Sequence, residues 1–173
     1  MDLVLRVPRQ SEEAEFLRAH RATSPSAPNF LHYYEKGMSF RRYLEVLAEQ
    51  ERGGNLTANQ VPATFLFAFT GASIVGRVSI RHSLNPSLER FGGHIGYVVV
   101  PEYRRQGFGT AILRQSLQIV RQKLGLTRVL LTCDDDNLGS IRTIEKNGGV
   151  LESIVAGPDG GKPKRRYWIP TAD

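Results

Sequence analysis

The sequence predicts an α/β domain with a mixed sheet, and three observations carry that reading. Short apolar or alternating stretches interleave with longer stretches whose apolar residues recur three and four apart. Glycine, proline and asparagine punctuate the boundaries between them. The resulting order is β-α-α-β-β-β-α-β-α-β-β, seven strands and four helices. At 173 residues, 40% hydrophobic and 23% charged, residues 1–173 read as one domain able to bury a core without staples.

Leu3 to Val7 alternates apolar and polar residues and reads as a strand. Ser11 is the candidate N-cap of a helix from Glu12 to about Ala22, and Pro25 and Pro28 then enforce a loop. Ser39 caps a second helix to about Arg52, with Phe40, Tyr43, Leu44 and Leu47 on one side, and Gly53-Gly54 ends it. Ala63 to Phe69 and Ile74 to His82 form a hairpin across Gly71-Ala72. Asn85, Pro86, Gly92 and Gly93 mark a longer loop, and His94 to Val100 is the next strand, stopped by Pro101. A long helix starts near Gly107, with Leu113, Leu117, Val120 and Leu124 as its buried stripe, and Gly125 ends it. Arg128 to Thr132 is a buried strand, and Asn137 to Asn147 is a helix closed by Gly148-Gly149. The last strands are Val150 to Val155 and Arg165 to Ile169.

Composition narrows the function. The one cysteine, Cys133, excludes an internal disulfide framework and fits a reducing compartment. No apolar run reaches the roughly 18–20 residues that span a bilayer, and the N-terminus lacks a signal-peptide pattern, so the expectation is a cytoplasmic protein without a membrane partner. The net charge of +6 favours anionic partners, but no nucleic-acid motif accompanies it.

The informative segment is Tyr97-Val-Val-Val-Pro-Glu-Tyr-Arg-Arg-Gln-Gly-Phe-Gly-Thr110. A strand enters a glycine-containing turn and then a long helix. Unpaired N–H groups at a helix N-terminus, with the helix dipole behind them, bind phosphate oxygens. Gly107 and Gly109 permit close approach, and Arg104 and Arg105 add charge. The dinucleotide fingerprint fails, because Ile112 stands where a third glycine belongs. The Walker A pattern fails too, for want of a Lys-Ser or Lys-Thr pair after the turn.

Arg104-x-x-Gly107-x-Gly109 resembles the acyl-CoA signature of the GNAT superfamily of N-acetyltransferases. The likeness extends over Phe65 to Ile169. It implies a mostly antiparallel sheet and acetyl-CoA as co-substrate, with no metal. In that family the turn holds the CoA pyrophosphate, which assigns Arg104, Arg105, Gln106, Gly107, Phe108, Gly109 and Thr110 to cofactor binding. The preceding strand, here Val98, Val99 and Val100, lends backbone groups to the pantetheine arm and acyl carbonyl. Asn137 and Ser140 take the family's positions beside the cofactor. The N-terminal helices match the variable substrate-binding region, where Tyr33, Tyr34 and Phe40 are either pocket or core aromatics. Ile80-Arg-His-x-Leu-Asn, Gly92-Gly-His-Ile-Gly-Tyr97 and Ile144-Glu-Lys-Asn-Gly-Gly149 resemble a bacterial branch of predicted acetyltransferases that brings no acceptor identity with it.

The pattern breaks in two places. Ile144 stands where many members carry a tyrosine that protonates the departing thiolate, leaving water or Ser140 as alternatives. The family's usual base positions fall near Gly93 and Ile95. His94, His82 and Glu89 are therefore the candidate bases, with water relays as the alternative. Asp134-Asp-Asp-Asn137 reads as a helix cap in preference to a metal site. Cys133 reads as a buried structural thiol in preference to a nucleophile. The basic loop from Pro158 to Arg166 reads as a hairpin loop before it reads as an anion attractor. The expected activity is direct transfer of an acetyl group to a small-molecule or protein amine. A CoA-binding sensor is the alternative, and the fold's habit of dimerising implies a homodimer.

Overall fold

The computed structural model describes residues 2–24, 27, 30–35, 37–54 and 56–171. Pro25 and Pro28 lie outside them. Among the described residues, seven strands and four helices of eight residues or more follow in the expected order. They are β1 (Val4–Arg6), α1 (Glu13–Thr23), α2 (Phe40–Glu51), β2 (Ala63–Thr70), β3 (Ser73–Arg81), β4 (Ile95–Val99), α3 (Phe108–Ile119), β5 (Arg128–Asp134), α4 (Leu138–Lys146), β6 (Val150–Val155) and β7 (Lys164–Pro170).

Local chemistry sets most boundaries. Ser39 Oγ accepts from the Arg42 N–H at 3.2 Å and caps α2. Asn137 Oδ1 does the same for α4 through the Ser140 N–H at 3.1 Å. Ser11 does not cap α1: it lies within a 3-10 turn, Gln10–Glu12. Glu12 organises that entry instead, because its carboxylate accepts both the Arg9 N–H and the Arg6 guanidinium. The loop after β3 also differs from expectation. Asn85 Oδ1 accepts from the Leu88 N–H, and Leu88–Gly92 winds into one wide helical turn.

The strands form two antiparallel sheets, β1-β2-β3-β4 and β5-β7-β6. β4 and β5 meet at one end only. Gly93 bridges Leu131 there, the His94 N–H donates to the Leu130 carbonyl at 2.7 Å, and the Leu130 N–H donates to His94 Nδ1 at 3.0 Å. Beyond that point β4 pairs with β3 alone. The opening so created is the feature that positions the site.

Alternation along β4 assigns its faces. Ile95, Tyr97 and Val99 pack with the cluster that includes Phe108, Ile112, Leu113, Ile141 and Ile144. Val98 packs on the other face, with Phe16, Phe40, Tyr43, Phe65 and Phe67 beneath α1 and α2. Phe40 is fully buried there, and Tyr34 stacks edge-on against Phe16 and Tyr43, so these two are core aromatics. Gly76 on β3 is needed for contact: a Cβ there would lie 2.6 Å from the Val98 carbonyl oxygen and 2.8 Å from Ile112 Cδ1.

Candidate active site

A cleft of about 720 Å³ opens between β4, the N-terminus of α3 and one face of α4. That is within the range of roughly 300–1,000 Å³ usual for small-ligand sites. The turn that enters α3 is built from left-handed residues, Arg105 at φ 61° and Gly107 at φ 87°. No side chain caps the helix, and its first intrahelical bond runs from the Ala111 N–H to the Gly107 carbonyl. The N–H groups of Gly107 to Thr110 therefore have no intrahelical acceptor and stand at the positive end of the helix. Arg104, Arg105, Arg142 and Lys146 line the same cleft, so its mouth is cationic. Arg104 is braced by its Nε donating to the Val99 carbonyl at 3.1 Å.

Of the residues assigned to cofactor binding, Val98, Val99, Arg104, Arg105, Gly107, Gly109, Thr110, Asn137 and Ser140 line this cleft. Three do not. Val100 is fully buried and its N–H donates to the Val75 carbonyl, so it is withdrawn from the donor set. The Phe108 ring is buried against Tyr103 and can offer the cleft only its N–H. Gln106 points along the surface and donates to the Glu102 carbonyl. In an antiparallel ladder the N–H groups alternate between the two sides. With Val100 bonded to β3, Val98 faces β3 as well, and the Tyr97 and Val99 N–H groups face the opening.

The cleft also holds residues the sequence reading passed over. Gly139, Arg142, Thr143 and Lys146 recur three and four apart on one face of α4, a signal the sequence does contain. Tyr97 is the more consequential one. Its ring crosses Gly109, where a Cβ would stand 3.7 Å from it. Its hydroxyl is buried and completes no hydrogen bond among the described residues. Burial raises the phenol above its ordinary pKa, while the nearby Ser140 and Thr143 hydroxyls oppose that rise. Ile144 is 1% exposed and packs against Gly149 in the core, away from the cleft.

None of the three candidate bases lines the cleft. His94 joins the two sheets, and its Nδ1 lone pair is occupied by the Leu130 N–H. The neutral ring therefore carries its proton on Nε2 and has no free lone pair to take another. Burial lowers its pKa further. His82 Nε2 sits 2.9 Å from Thr64 Oγ1, which donates to Glu51, near the end of α2. Glu89 is exposed on the helical turn before β4, where its main-chain carbonyl accepts from Arg166.

The acidic and basic runs explain each other. Lys162 pairs with Asp136, Lys164 with Asp134, Arg165 with Asp135 and Arg166 with Glu152. Three aspartates aimed at three separate cations cannot converge on one ion. Burial pushes the Cys133 thiol up to about 11, so it stays protonated and is no nucleophile.

Residues 18–149 match the acetyltransferase (GNAT) family. The chain belongs to that family. No curated protein matches the sequence. Among solved structures, RimL, a ribosomal alpha-N-protein acetyltransferase in complex with coenzyme A, superposes with a TM-score of 0.70 at 18% identity, covering 99% of this chain and 96% of that one. Mycobacterium smegmatis RimJ in complex with CoA-disulfide gives 0.68 at 20% identity, covering 97% and 81%. A spermidine N-acetyltransferase SpeG chimera from Vibrio cholerae and hSSAT gives 0.65 at 16%, covering 99% and 96%. These likenesses show the same GNAT fold. Among the described residues of this GNAT chain, no helix is long and apolar enough to cross a membrane.

Proposed function

We propose that the chain, acting as one cytoplasmic domain, transfers an acetyl group from acetyl-CoA directly to an amine. The observation that carries this is the uncapped N-terminus of α3, facing a cationic cleft in the opening between β4 and β5. The N–H groups of Gly107, Phe108, Gly109 and Thr110 suit the pyrophosphate, and Arg142 and Lys146 add charge from the facing helix. The Val99 N–H suits the thioester oxygen, where negative charge develops as the amine attacks. Tyr97 supplies what Ile144 cannot. Its phenol stays protonated, lies at the cleft beside the Ser140 and Thr143 hydroxyls, and can turn to donate to the sulfur as the carbon–sulfur bond breaks. No side chain of the candidate set is placed to take the amine's proton, so the proton leaves to water.

A second reading, a CoA-binding sensor, draws on the same two gaps, Ile144 in the core and no base in the cleft. One experiment separates them. Purified protein is mixed with acetyl-CoA and a panel of polyamines, amino acids, aminoglycosides and short peptides, and free thiol is followed. Acceptor-dependent thiol release that vanishes in Gly107→Glu, with its circular dichroism unchanged, is the expected result. Acetyl-CoA binding by calorimetry without release from any acceptor selects the sensor. No binding at all overturns both readings.

A further inference from the structure

A second, smaller pocket of about 90 Å³ lies on the α1/α2 side of the sheet, lined by Tyr33, Gln60, Ser79 and Arg81 among others. It is too small for a whole ligand, whose sites usually run to roughly 300–1,000 Å³, but fits one charged group. Its central feature is Arg81. That guanidinium is largely desolvated, and burial draws its pKa below the usual arginine value. Its Nη1 donates to the neutral carbonyls of Gly92 and Gly93 at 3.2 and 2.9 Å. Among the described residues no carboxylate pairs with it: the acids near the sheet are engaged elsewhere, Glu51 with Thr64 and Glu15 with Arg18 and the Ile74 N–H. A desolvated cation held only by neutral acceptors is a poor resting state, and an anion completes it.

The position of this cation relative to the proposed chemistry is informative. Ser79 and Arg81 alternate with Ile80 along β3, so they share the face of β4 that carries Gly96 and Val98. A Cβ on Gly96 would stand 3.8 and 3.9 Å from Arg81 Nη1 and Nη2. The glycine therefore leaves bare backbone between the guanidinium and Val98, two residues on, about 7 Å along the strand. Tyr33, at the pocket wall, is held at φ 67°, a backbone conformation that costs a non-glycine residue energy and gathers at ligand sites. His32 beside it is pushed down to about 4, first by burial and then by Arg77 and Arg81, so it is neutral and compatible with a positive pocket.

We propose that the Arg81 pocket binds an anionic group, a carboxylate or phosphate, carried by the acceptor. The identification of the ligand as the acceptor rests on the acetyltransferase reading; the anion site does not. An amino acid, a short peptide with a free carboxylate or a small amine phosphate has the required chemistry. A polyamine does not.

The anion site is tested first, on the full chain, by titrating acetate and methyl phosphate separately and following the Arg81 Nε–H resonance by NMR. One or both should bind saturably, and the two titrations tell carboxylate from phosphate. Affinity should fall at least about tenfold in Arg81→Gln, the loss expected when a charge-assisted fork is removed. Gln60→Glu is the second variant. It keeps the acceptor that holds the Thr57 N–H and sets a carboxylate at the pocket wall, so it should weaken anion binding without disturbing the fold. No saturable shift, or equal affinity in the wild type and Gln60→Glu, overturns the site. The acceptor role is tested with matched amines that differ only in a free carboxylate against its amide. Preference for the carboxylate member, lost in Gln60→Glu while acetyl-CoA affinity stays unchanged and lost too in Arg81→Gln, is expected. Equal acetylation of both members overturns the acceptor role even if anions bind. Failure of acetyl-CoA to bind overturns the transferase reading, with the anion titration intact.

Discussion

In the proposed transfer, Tyr97 is the one side chain whose loss should separate turnover from mere binding. A phenol that is buried, protonated and flanked by the Ser140 and Thr143 hydroxyls can turn to an acceptor that arrives with the ligand. If that acceptor is sulfur, Tyr97 favours thiolate over thiol. CoA bound to the wild type should then titrate at lower pH than CoA bound to Tyr97→Phe. The difference should correspond to about 1.5–3 kcal/mol, the value of a hydrogen bond to a charged group. Thiolate absorbance of the bound cofactor reads this without any knowledge of the acceptor. With an acceptor in hand, kcat should fall at least about tenfold in Tyr97→Phe while the KM for acetyl-CoA holds, the pattern of a lost general acid. Identical thiol titration in both proteins would leave Tyr97 as packing over Gly109. Two of the three candidate bases are tested at the same scale. Glu89→Gln and His82→Gln, both away from the cleft, should change kcat by less than about twofold.

At the scale of elements, the site exists because β4 and β5 separate, and a single residue fixes where they begin to do so. Gly93 adopts φ 68°, and a Cβ there would meet the Leu130 carbonyl oxygen at 2.5 Å and Leu131 Cα at 3.0 Å. Gly93→Ala combines left-handed strain, about 1–3 kcal/mol, with overpacking against backbone that cannot rotate away, about as much again. Chemical denaturation should show a loss of at least about 2 kcal/mol, and acetyl-CoA affinity should fall with it because the junction must shift. Unchanged stability would mean that the junction tolerates a side chain and is not what holds the cleft open. The sequence foretold the elements on either side of this junction, because alternation, caps and glycine stops are local. Ser39, Asn137 and the αL Gly107 all acted where their neighbours said they would. It did not foretell that His94 would bond β5 on one side while its carbonyl stays bonded to β3, because Leu130 is 36 residues away and nothing near His94 marks the bridge. Tyr97 and Arg81 were hidden for the same reason. Each sits in a strand that reads as ordinary, and only the gap beside one and the glycine opposite the other give them work to do.

At the scale of the whole molecule, the sequence's excess of +6 turns out to be locally organised. Much of the basic C-terminal run is matched to Asp134, Asp135, Asp136 and Glu152, and Arg6, Arg18 and Arg42 are matched to glutamates near them. Exposed pairs of this kind contribute little each, about 0–1 kcal/mol, so they orient the surface more than they hold the fold. The titration of the buried groups has more consequence. All four histidines are displaced below the ordinary value of about 6.5, each chiefly by burial: His20, His82, His94 and, down to about 4, His32. The unfolded chain therefore takes up protons first as the pH falls. Stability is fully present above about 6.5 and is lost between about 6.5 and the lower folded values. Glu12 and Glu152, held down to about 2 by Arg6 and Arg166, act in the same direction over a lower window, from about 4.5 to about 2. Thermal midpoints measured from pH 8 to pH 4 should fall steadily, with the slope already present above pH 5, where ordinary carboxylates do not titrate. His32→Asn should flatten that upper part alone, and Glu152→Gln the lower part alone. A midpoint that holds level down to pH 5 would mean that the histidines titrate together in the folded and unfolded chains. The His32 imidazole beside Arg81 would then be charged at the same pH as any other and would add to the positive charge of that pocket.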